Sequence, residues 1–156
     1  MWDIPIDGEE QLLQSETYRK MADVELVLRF FAYRFLHVLT GTVEEFLDDY
    51  LKNANNFQQE TLEGLEKLFN DTIDTIYGIF GNEAFLSPKY ERQSTKPQKI
   101  IYDSLMQSIA KHITVKDQLL SQADLIREGK YNNPHETDGE RSFNGRNTSP
   151  GVVKER

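Results

Sequence analysis

The ionisable residues that stand out in this sequence are Glu25 and Arg29, four apart in the apolar run DVELVLRFFAYRFLHVL (23–39). That spacing puts both on one stripe of a helix, where carboxylate and guanidinium can pair. In apolar surroundings such a pair costs desolvation and needs further hydrogen bonds to break even. Two roles fit: an ion pair that fixes how this helix meets its neighbours, or an arginine that reaches a phosphate or a partner domain. Arg34 and His37 fall on a separate stripe and read as exposed. A second candidate is SFNGRNTS (142–149). Its glycine, short hydroxyls and amides (Asn144, Asn147, Thr148) can form a turn that presents backbone donors to an anion, with Arg146 adding charge for phosphate or DNA contact. A plain polar tail is the alternative there.

Other chemistries lack their residues. His37, His112 and His135 lie far apart with no second ligand at helical spacing, so no metal site is expected. A glycine-rich phosphate loop with its lysine is absent, and no cofactor is expected. With no cysteine in the chain, disulfides, thiolate metal sites and a cysteine nucleophile are excluded. The many acids fall on exposed faces of amphipathic helices, where a solvated surface explains them.

The net charge of −8 argues against a surface that coats nucleic acid. Its distribution is uneven: residues 1–86 carry 17 acids and 6 bases, whereas residues 87–156 carry 9 acids and 12 bases. Any phosphate contact therefore belongs to the second half, although composition alone favours a polar tail that happens to be basic. No apolar run approaches the ~20 residues that span a bilayer, and no basic-then-apolar leader opens the chain. A cytoplasmic protein without membrane contact is expected.

The elements that position these residues are helical throughout. Residues 9–20 form a polar first helix on Leu12, Leu13 and Tyr18. Asp23 is placed to cap a helix running to Leu39, with Val24, Val27, Leu28, Phe31, Phe35 and Val38 on one face. Leu26, Phe30, Tyr33 and Leu36 fill most of the rest, the pattern of a central buried helix ended by Gly41. Thr42 and Glu45 form a capping box for the next helix, which buries Val43, Phe46, Leu47, Tyr50, Leu51 and Ala54. Leu62, Leu65, Leu68, Phe69, Ile73, Ile76, Tyr77 and Phe80 recur at threes and fours over 58–80, and the short joint at 55–57 predicts that these two helices run antiparallel. After a polar loop at 86–96, Pro97 suits the first position of a helix with Ile101, Leu105, Ile109 and Ile113 inward. Thr114 and Asp117 form a second capping box, opening a short helix through Ile126. Beyond Gly129 the pattern collapses. The expectation is an all-α, irregular bundle of about five helices over 1–128, with a polar, mobile tail over 129–156.

The run YRKMADVELVLRFFA (18–32) resembles a segment of the GmrSD-type family, whose members carry a DGQQR motif. FLDDYL (46–51), IYDSLMQSIA (101–110) and SFNGRNTSPGVVKER (142–156) resemble later parts of the same helical half, so the likeness spans roughly residues 12–156. It implies a role in restriction of foreign, often modified, DNA during phage defence, with nucleotide-dependent DNA cleavage carried by an amino-terminal ParB/sulfiredoxin-like domain. That domain is not in this sequence. Asp7-Gly8-Glu9-Glu10-Gln11 echoes its motif by letters only, without the arginine, so no catalytic role passes to it. The resemblance implies a non-catalytic helical module, from a truncated or split family member, that works with a catalytic partner protein or pairs as a homodimer through an uncovered apolar face. A nucleic-acid-contacting accessory domain is the alternative.

Overall fold

The computed structural model describes residues 20–86 and 97–132. Helices α1 (Ala22–Ala32), α2 (Val43–Ala54), α3 (Gln59–Phe80), α4 (Lys99–Lys111), α5 (Lys116–Ser121) and α6 (Ala123–Asn132) follow one another, and no strand occurs among the described residues. The fold is an all-α irregular bundle. None of its described helices is long and apolar enough to cross a membrane. The helix expected at 9–20, most of the 86–96 loop and the segment from 133 onward lie outside the described residues.

The core forms where α4 lies between α1 and α3. Leu26 and Phe30 of α1 meet Tyr102, Met106, Ile109 and Ala110 of α4, and Ile76, Ile79 and Phe80 of α3 close the far side. Each large aliphatic or aromatic side chain buried there contributes roughly 1.5–3 kcal/mol. Thr72 and Thr75 are also buried, and each hydroxyl donates to the carbonyl four residues back, which satisfies it within its own helix.

The run 23–39 does not form the single buried helix expected of it. The α-helix stops at Ala32 and the chain tightens into a 3-10 helix over Tyr33–Val38, with Phe35 off helical geometry. At three residues per turn, Tyr33, Leu36 and Leu39 line up on one face, against Leu47 and its neighbours on α2. An α-helical continuation would have fanned them apart. Nor is α1 buried all round as expected: Leu26 and Phe30 point inward, while Val24 (57% exposed), Val27 and, beyond the helix, Phe35 (48%) reach solvent. A helix apolar all round was assigned more neighbours than the described bundle supplies.

Thr42 precedes α2, accepts a hydrogen bond from the Glu45 N–H, and has its own N–H bound by the Glu45 carboxylate. Gly41 before it sits at φ 74°, and a side chain there would collide with that carboxylate. By contrast Met21, not Asp23, precedes α1; Met21 takes a left-handed conformation with no side-chain cap, and Asp23 falls inside the first turn. Val115, not Thr114, precedes α5, with no side-chain hydrogen bond at that end, because Thr114 is held in a 3-10 turn over Ile113–Val115. Pro97 stands one residue outside the cap of α4, which is Gln98.

Two further expectations change. Helix α2 packs on α1 rather than antiparallel along α3, whose partners are α4, α5 and α6. The joint at 55–57 is short, but Tyr33, Leu36 and Leu39 offer α2 a better apolar face than the exposed start of α3. The helix after Thr114 is two helices broken at Gln122, whose φ of −107° and ψ of 19° leave helical geometry, with the Ser121 hydroxyl sharing the Gln118 carbonyl with the Gln122 N–H. Its second part continues through Gly129 to Asn132, past the 128/129 boundary read from the sequence. The reason is at the end of α3: Arg127 donates to the Ile79 carbonyl, and Lys130 donates to the Glu83 and Ala84 carbonyls at 3.0 and 2.7 Å. Arg127 thus satisfies a carbonyl that the end of α3 leaves open, at the negative end of its dipole, and Lys130 holds the carbonyls of the turn that follows it.

Candidate functional site

The densest polar cluster lies in the seam between α1 and α4. These helices run parallel, since successive contacts climb together along both: Glu25 with Lys99, Leu26 with Tyr102, Arg29 with Asp103, Phe30 with Gln107. At its centre the Arg29 guanidinium grips Asp103 with two parallel bonds. Nε donates to Oδ1 at 3.1 Å and Nη2 donates to Oδ2. Both side chains are deeply placed, at 11% and 3% exposure. This fork-to-fork geometry is the strongest ion-pair arrangement available to a protein.

The remaining edges of Arg29 are also occupied. Nη1 lies 3.6 Å from Glu25 Oε1, an ion-pair contact too long for a hydrogen bond. Glu25 in turn accepts from Lys99 Nζ at 2.7 Å. The Tyr33 ring lies beneath the guanidinium, 4.7 Å from Cζ to centroid. Burial alone would lower the arginine's proton affinity, but the hydrogen bonds and charge of Asp103, with Tyr33 and Glu25 adding, outweigh it and hold the group above its ordinary range. Two neutral donors lock the seam on either side: the Tyr102 hydroxyl donates to the Leu26 carbonyl at 3.0 Å, and the Gln107 amide to the Phe30 carbonyl at 2.8 Å. Burial, with the Asp103 charge beside it, keeps the Tyr102 phenol protonated well above the usual range.

Chemically the cluster is closed. Both carboxylate oxygens of Asp103 accept from Arg29, and the more exposed Glu25 carboxylate is held by Lys99. The guanidinium meets carboxylates along its edges and an aromatic ring on its face, so it presents no fork to a phosphate. No group of three or more potential metal ligands occurs among the described residues. His37 and His112 are exposed, and His135 lies outside the described residues.

Glu25 and Arg29 are thus brought together as their spacing suggested, but the principal partner is Asp103, which sequence reasoning passed over. Its signal was present: a lone acid on the face of α4 that carries Ile100, Tyr102, Met106 and Ile109, matching a lone base on the apolar helix. Opposite charges isolated on two otherwise apolar faces point to a cross-helix pair. Asn144, Arg146, Asn147 and Thr148 lie outside the described residues.

Of the twelve cations of the second half, five lie among the described residues, and four of these are engaged within the protein. Of those between 97 and 132, Lys99 holds Glu25, Lys116 holds Asp71 at 2.9 Å, and Arg127 and Lys130 hold the end of α3. Asp71 also accepts from Lys67, and the two lysines together hold its carboxyl below the usual carboxylate range.

Comparison with protein-family models, with curated proteins and with solved structures finds no match to this chain.

Proposed function

We propose that this chain is a non-catalytic helical module that serves as a docking piece for a catalytic unit outside these 156 residues, in the manner of the helical half of GmrSD-type restriction proteins acting in phage defence. One observation carries the reading: the only buried cluster of opposite charges among the described residues is consumed in joining α1 to α4, while apolar residues of α1 and α3 stay open to solvent. The run DVELVLRFFA, on which the family resemblance rests, supplies both the buried Arg29 and the open Val24 and Val27. The competing reading, a DNA-contacting accessory domain, cannot draw freely on Lys99, Lys116, Arg127 and Lys130, which make intramolecular contacts, and rests on bases such as Arg146 outside the described residues.

The test is direct. The purified chain is assayed for nucleotide hydrolysis and plasmid nicking, and titrated with duplex DNA across a salt series. No turnover and no salt-dependent affinity are expected. Turnover that disappears in Arg29→Lys while the melting temperature holds would overturn the non-catalytic reading, and a steep salt slope would favour the DNA reading.

A further inference from the structure

We draw no further inference here: the strongest candidate, the exposed apolar patch of Met21, Val24 and Val27 at the start of α1, carries nothing because nothing in the structure shows what covers it.

Discussion

Arg29 and Asp103, 74 residues apart in the chain, face each other across the α1–α4 seam with two parallel hydrogen bonds and almost no access to water. The pair fixes both the register and the parallel sense of the two helices, because a slide by one residue would carry the guanidinium off the carboxylate. Tyr102 and Gln107 repeat that constraint by reaching backbone carbonyls of α1 from α4. The polar residues most suggestive of chemistry are therefore the ones that hold the bundle together.

Helix capping separates two threonines that look alike in sequence. Thr42 makes both bonds of its capping box, while Thr114 lies in a 3-10 turn one residue short of the cap position. Thr42→Ala is expected to cost about 1 kcal/mol in urea denaturation. Thr114→Ala should change stability by less than about 0.5 kcal/mol. Equal losses would show that Thr114 caps after all.

Glycines inside α3 offer a second contrast. A Cβ at Gly64 would meet nothing within 4 Å, whereas one at Gly78 would come within 2.6 Å of the Leu120 Cδ2. Gly64→Ala should stabilise the protein by about 0.5–1 kcal/mol through helix propensity alone. Gly78→Ala should gain visibly less, because Leu120 must turn aside. A larger gain at Gly78 in thermal melts would contradict the close approach of α5 to α3.

The pH dependence of Lys130 tests the docking of α6. Burial pushes its ammonium down to about 8 from the ordinary 10.5, with Glu83 pulling the other way. The unfolded chain therefore binds more protons in that window, so this group's contribution to stability rises with pH. It is complete above the unfolded value and lost as pH falls through about 8. Wild type is expected to gain on Lys130→Met between pH 8 and 10.5 in chemical denaturation. The Tyr102 phenol titrates in both proteins and drops out of the difference. A difference that stays flat or shrinks with rising pH would show Lys130 to be solvated.

The helical class and most helix positions were legible because apolar residues recur at threes and fours, and Thr42 with Glu45 announced its cap locally. What stayed hidden was tertiary. Nothing local told which face of the run 23–39 would turn inward, since Val24, Val27 and Phe31 are as apolar as Leu26 and Phe30; the α4 partner decided it. Nor did a short joint decide the fate of α2, which left α3 for the face made by Tyr33, Leu36 and Leu39. Of the central cluster, Glu25 and Arg29 could be read from their spacing. Asp103 required matching two isolated charges on helices distant in sequence.

The most direct test is a double-mutant cycle on Arg29→Met and Asp103→Leu, followed by equilibrium unfolding. Each single substitution strands a buried charge and is expected to cost about 3–5 kcal/mol, while the double variant should recover a large part of the summed loss. Single variants that keep full stability but lose binding to a nucleotide, DNA or a partner would contradict the account, because Arg29 would then serve a ligand rather than the fold.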